Sequence, residues 1–204
     1  MIRIDTKSPL FGGCPVRTFT EVGDDGKDGR VFRQFVIGMA WPINGPGYIV
    51  VIGEELDTDK ALDANKLHII DEYEHPGNDQ LVNRCAQFIG KYHGAGVYGD
   101  TSNRPMMEST IHIRNLYVKQ APFCDQSSTR YQYYISLIRG MASATRKILH
   151  FGDSNIVNHV RMIDDKENPA ILSLGYALAA IQSYGYYNHL EEQYAIQPEE
   201  EPDY

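Results

Sequence analysis

Carboxylates close two strand-like segments of this 204-residue chain. In Ile70-Asp71-Glu72-Tyr73-Glu74 acids alternate with apolar side chains, and Val97-Tyr98-Gly99-Asp100 is a short run that ends on an acid. A third acidic group, Asp164, Asp165 and Glu167, stands just before Asn168-Pro169. Carboxylate oxygens gathered at strand ends suit hard cations such as magnesium or manganese. The same residues also have plain structural readings. Asp100 caps a helix that starts after Thr101, Glu72 and Glu74 line the half-exposed face of a strand, and Asp164-Asp165 belong to a loop. Other chemistries find less support. The seven histidines show no close pairing of zinc type. Ser102 and Ser127 have no base partner that the sequence places near them. Cys14, Cys85 and Cys124 form no CxxC, and their odd number argues for a reducing compartment and against a disulfide framework. No GxxxxGK[ST] occurs, so these residues supply no P-loop ATPase.

Charge is distributed unevenly. The formal net charge is -8, which disfavours indiscriminate nucleic-acid binding. Six of the excess acids, Glu191, Glu192, Glu199, Glu200, Glu201 and Asp203, fall in the last 14 residues, where no Lys or Arg occurs. Residues 101–150 run the other way. Arg104, Arg114, Lys119, Arg130, Arg139, Arg146 and Lys147 stand against only Glu108 and Asp125, with Phe123, Tyr131, Tyr133 and Tyr134 interleaved. A segment of this kind reads either as a face for phosphates or as a solvated helix face with core tyrosines.

The elements that must position these residues follow from periodicity. Residues 1–30 read as an N-terminal arm, with Arg17 to Val22 and Val31 to Trp41 flanking the Gly/Asp-rich loop 23–29 as a hairpin. Phe35 to Trp41, Tyr48 to Gly53 and Leu67 to Glu74 read as three strands of an antiparallel meander. The period then changes. Leu81, Val82, Cys85, Phe88, Ile89 and Tyr92 recur at helical spacing, with a start at Pro76-Gly77-Asn78 and a stop at Gly94 and Gly96. Ala95 to Asp100 is a fourth strand, and strand–helix–strand order predicts a parallel pair through a right-handed crossover. Short helical and strand signals follow at 105–111, 116–118 and 148–151. Helices are expected over 127–144, with Tyr131, Tyr134, Ile135 and Ile138 on one face, and over 171–184, with Leu174, Leu178 and Ile181 facing inward. No run of 18 apolar residues exists, so no transmembrane helix is expected. The start lacks the apolar region of a signal peptide.

Meander, helix, fourth strand and mixed α/β remainder follow the order of a ribonuclease H-like fold, an α/β mixed sheet flanked by helices. Several segments then resemble the C-terminal nuclease domain of the large terminase subunit of tailed phages. Val36-Ile37-Gly38-Met39-Ala40-Trp41-Pro42 with Gly45-Pro46-Gly47 is similar to that family's first strand and turn. Ile70 to Glu74 is similar to its third strand, Val97 to Ser102 to its fourth-strand acid motif, and Gly175-Tyr176-Ala177-Leu178 to the end of its final helix. The similarity spans about residues 33–185. The division it suggests is an arm at 1–30, a nuclease-like domain at 31–187 and an acidic tail at 188–204.

The resemblance implies a site centred on Asp100, with Glu72 as its second catalytic residue. Asp100, Glu72, Glu74 and Asp165 are the implied ligands for magnesium or manganese, with Asp164 or Glu167 as other acids of the last loop. Two-metal hydrolysis of DNA needs several carboxylates around two cations ~3.5–4 Å apart. Arg104, Arg114, Lys119, Arg130 and Arg139 are the expected nucleic-acid contacts. Double-stranded DNA is the implied partner, beside a separate packaging ATPase or a portal or virion protein, in the cytoplasm of a bacterial host. The chain departs from the family at two acids. Ala40 (or Met39, by a one-residue slip) stands at the strand-one aspartate, and Leu172 stands at the aspartate before the final helix motif. Three functions compete on this basis. They are a metal-dependent endonuclease acting in genome packaging, a catalytically degenerate module that binds DNA or a packaging partner, and an unrelated α/β scaffold.

Overall fold

The computed structural model describes residues 1–8, 16–42, 45–56, 66–102, 107–108, 116–124, 129–143, 148–163 and 166–194, with backbone only at 6–8, 16–17 and 184–194. Its centre is a long strand, β3 (Asp28–Ala40), preceded by β1 (Ile2–Ser8) and β2 (Val16–Val22). β4 (Gly47–Glu55) and β5 (Lys66–His75) complete the expected antiparallel meander. β4 covers one edge of β3 from Phe32 to Ala40. The other edge is shared. β2 pairs antiparallel with its first part, Phe19 opposite Phe32, and β6 (Gly96–Gly99) pairs parallel with its second, from Val36–Gly96 to Met39–Gly99. β7 (Val118–Gln120) adds in parallel to β6, and β8 (Leu149–His150) adds in parallel to β5. The order β5-β4-β3-β6-β7 is therefore present, with the arm of the chain sewn onto the same sheet through β1 and β2.

The parallel β3–β6 pair requires a crossover, which α1 (Asn78–Lys91) provides. It starts where Pro76-Gly77-Asn78 places it, with Gly77 as its N-cap in an extended conformation and no side-chain cap bond. At its other end His93 and Gly94 take positive φ, and the Gly94 amide donates to the Ile89 carbonyl at 2.8 Å, turning the chain back into β6. Alternation along β3 sends Phe35, Ile37 and Met39 toward α1, where Leu81, Val82, Cys85 and Phe88 complete one core.

Val36, Gly38 and Ala40 point to the opposite face. There lie α2 (Arg130–Ala142), the short α3 (Ile156–Arg161) and α4 (Pro169–Tyr194). Helix α4 is buried at every position from Ala170 to Ile181, not along one stripe. Three neighbours explain the difference from the expected inward face of Leu174, Leu178 and Ile181. The sheet covers one side of α4, and α2 and α3 cover others, so a helix apolar all round is the physical requirement. Its last residues continue as helix through Tyr194, past the start expected for the tail at 188. No helix among the described residues is long and apolar enough to cross a membrane.

Helix and sheet meet at backbone distance. A Cβ on Gly38 would lie 1.9 Å from the Ser173 carbonyl oxygen, and the Ser173 hydroxyl donates to the Gly38 carbonyl at 2.9 Å. Gly175 likewise leaves room for Tyr134, whose ring carbon would be 2.5 Å from an added Cβ. Gly140 on α2 meets nothing within 4 Å. Gly38→Ala is therefore expected to destabilise the protein by about 3 kcal/mol or more, because the clash is with backbone. Gly140→Ala is expected to stabilise it by about 0.5–1 kcal/mol. Urea melts of the two variants check both signs.

Candidate functional site

The ends of the central strands set a row of side chains on the α4 face. Ala40, only 2% exposed, pairs with Tyr48, which pairs with Glu74. The β3–β6 register brings Met39 opposite Gly99, so Asp100 follows beside Ala40. The Trp41 indole NH donates to the Asp100 carbonyl at 3.2 Å and anchors this end of β6. Glu72 lies two residues back, opposite Val50. The expected strand ends do converge, and the residue at their centre is a methyl group.

Whether Asp100 caps a helix after Thr101 falls on residues 103–106, outside the described residues. Asp100 Oδ1 accepts from the Ser102 amide at 2.9 Å and the Ser102 hydroxyl at 2.6 Å, closing a tight local turn. Its Oδ2 accepts from Arg130 Nη1 at 3.0 Å. The same guanidinium donates from Nε to Glu167 Oε1 at 3.1 Å and from Nη2 to Glu167 Oε2 at 3.2 Å. Hydrogen bonding to Glu167 raises the Arg130 guanidinium further above its ordinary value, against the lowering effect of burial. One arginine fork therefore ties the end of β6 to the loop before α4 (Asp100 to Glu167).

Glu72 serves a different element. Its carboxylate accepts from the Tyr48 hydroxyl at 2.7 Å, the Ser154 hydroxyl at 2.6 Å, the Asn155 amide at 2.6 Å and the Ile156 amide at 3.2 Å. The last two are open N–H groups at the start of α3, so Glu72 caps that helix from across the fold. Burial alone would raise the Glu72 carboxyl. The bonds from Ser154, Tyr48, Asn155 and Ile156 outweigh it and hold the group below its ordinary value. Burial, then Glu72, raises the Tyr48 phenol in turn, so Tyr48 is a donor and never a phenolate at working pH. Glu74 is exposed and lines a cleft with Tyr48, His159, Lys166, Glu167 and Asn168.

Of the residues expected at the site, Asp165, Arg104 and Arg114 lie outside the described residues. Lys119 is exposed on β7, its ammonium 5.6 Å from the Tyr98 ring centre, and Arg139 is exposed in the last turn of α2. Arg130 points inward to carboxylates. Among the described residues no group of three or more His, Cys, Asp or Glu is arranged to hold a metal ion. The donor chemistry agrees. Asp100 and Glu167 face a fixed cation, Glu72 faces four hydrogen-bond donors, and Ala40 offers no oxygen, so these four described residues do not fit a pair of divalent ions. The pairing of Arg130 with acids 30 and 37 residues away left no local signal. Ser154-Asn155 before Ile156 is a helix-start signal that could have pointed to α3, but not to its cap on β5.

The cap generates a pH-dependent expectation. Because the Glu72 carboxyl is depressed in the folded state, its contribution is full above the ordinary carboxylate value of 4.5 and is lost as pH falls through the lower folded value. Glu72→Gln is expected to cost about 1–2 kcal/mol at pH 7, since an amide offers donors where the cap needs acceptors. Melts of both proteins from pH 7 to pH 3 should show the gap between them closing at the acid end.

The sequence matches no protein-family model and no curated protein. Its fold does match solved structures. The large terminase nuclease domain of bacteriophage SPP1, solved with bound Mn, superposes with a TM-score of 0.52 at 13% identity, covering 74% of this chain and 86% of that one. The large terminase nuclease domain of Thermus phage P74-26 gives a TM-score of 0.51 at 15% identity, covering 73% of this chain and 79% of that one. This chain has the ribonuclease H-like fold of phage large-terminase nuclease domains.

Proposed function

We propose that this chain is a terminase nuclease-like module of viral DNA packaging that binds double-stranded DNA without cutting it by metal-dependent hydrolysis. The observation that carries this reading is Ala40. It is buried at the end of the central strand, with Asp100 following on one side and Tyr48 on the other, where the resemblance implies one of the carboxylates of a two-metal site. Of the expected nucleic-acid contacts, Lys119 and Arg139 are described and exposed. A separate ATPase supplies translocation, and a portal or virion protein is the other partner class. The module works in the cytoplasm of the bacterial host.

A second reading keeps catalysis. It rests on Glu74 and Glu167 lining one cleft, which would allow a weak magnesium or manganese site, with Asp100 joined to Glu167 through Arg130. A plasmid assay separates the two. The wild-type protein is expected to shift duplex DNA and to leave supercoiled plasmid intact in manganese. Nicking by wild type that Asp100→Ala abolishes would overturn the first reading in favour of the second. Absence of any duplex binding would remove DNA as the partner. Binding should also be electrostatic. Replacing Lys119 and Arg139 together by Ala is expected to lower the slope of log Kd against log salt by about 1 for each phosphate left without its cation, uniformly across DNA sequences. Fluorescence anisotropy at several salt concentrations measures that slope.

A further inference from the structure

We propose that Arg130 is the resident cation of this site: its guanidinium holds Asp100 and Glu167 together and closes the site to divalent metal. The inference rests on the ion pairs alone and does not require that the chain bind DNA.

The three groups come from three elements. Asp100 follows β6, Glu167 precedes α4, and Arg130 is the first residue of α2. Their side chains are 14%, 30% and 17% exposed, so water screens them only partly. Two carboxylates brought this close repel unless a positive charge stands between them. Arg130 supplies it with one bond to Asp100 and a two-point grip on Glu167. An arginine does not deprotonate, exchange or succumb to a chelator, so the site carries a permanent cation.

Placement strengthens the argument. Arg130 opens α2, where the helix dipole disfavours a positive charge, and the first turn of α2 contains no acid to offset it. Local preference is therefore violated for a tertiary gain. The free side of Asp100 is also taken, by the amide and hydroxyl of Ser102. A divalent ion approaching Asp100 would have to displace a guanidinium and remain beside its charge. Ala40 offers no oxygen in exchange.

Thermal melting in manganese and in chelator tests this on the full chain. Wild type is expected to melt at the same temperature in both. Arg130→Gln leaves two carboxylates facing each other, and in chelator its midpoint is expected to fall by about 5 °C or more. Manganese should restore part of that loss, and Arg130→Gln combined with Asp100→Asn should show no restoration. If Arg130→Gln melts like wild type, or folds and ignores manganese, the proposal is overturned. It is equally overturned if manganese raises the wild-type midpoint and Asp100→Asn removes the rise, because metal then enters beside Arg130. Should Arg130→Gln fail to fold, the comparison of wild type with Asp100→Asn decides alone: no manganese response supports the resident cation, and an Asp100-dependent response refutes it.

Discussion

Gly38 has no side chain, and helix α4 lies where that side chain would be. The Ser173 carbonyl sits within contact distance of the β3 backbone, and the Ser173 hydroxyl bonds the Gly38 carbonyl. Everything on the α4 face takes its position from this approach. With the helix pressed onto the central strand, α2 packs against it through Tyr134 and the space left by Gly175, and α3 fills the side near β5. The loop that carries Glu167 enters α4 directly, so its height over the sheet is set by the same contact. Close packing of this kind makes the position of the acids a consequence of backbone geometry, not of loop choice.

A ribonuclease H-like sheet brings strand ends together, and what they carry determines the chemistry. Here the carboxylates have protein partners. Glu72 satisfies amides at the start of α3, and Asp100 and Glu167 share a guanidinium. Each acid thereby becomes a structural tie between elements distant in sequence. The site has the outline of a metal centre and the bonding of a cross-link. A fold does not transmit an activity by itself. At 13–15% identity to the terminase nuclease domains, the likeness shows architecture alone.

The arm and the sheet belong to one body. β2, with β1 beyond it, occupies the part of the β3 edge that β6 leaves open, so the central strand has neighbours on both sides along much of its length. Covering that edge removes unpaired backbone groups that would otherwise invite association with another chain.

Periodicity in the sequence was sufficient for the sheet: the meander from Phe35 to Glu74, the crossover helix, and the parallel return ending at Asp100 all rest on alternation and helical spacing, which are local properties. The absence of acids at Ala40 and Leu172 was equally legible, because it needs only an aligned motif. The full burial of α4 was not legible, since it depends on how many neighbours surround the helix. Nor could sequence show that Arg130 turns from the expected DNA face toward Asp100 and Glu167, or that Glu72 caps a helix more than 80 residues away. Side chains reach only a few ångströms, so such partners are chosen when the sheet and α4 bring distant segments into contact, and tertiary structure alone decides them.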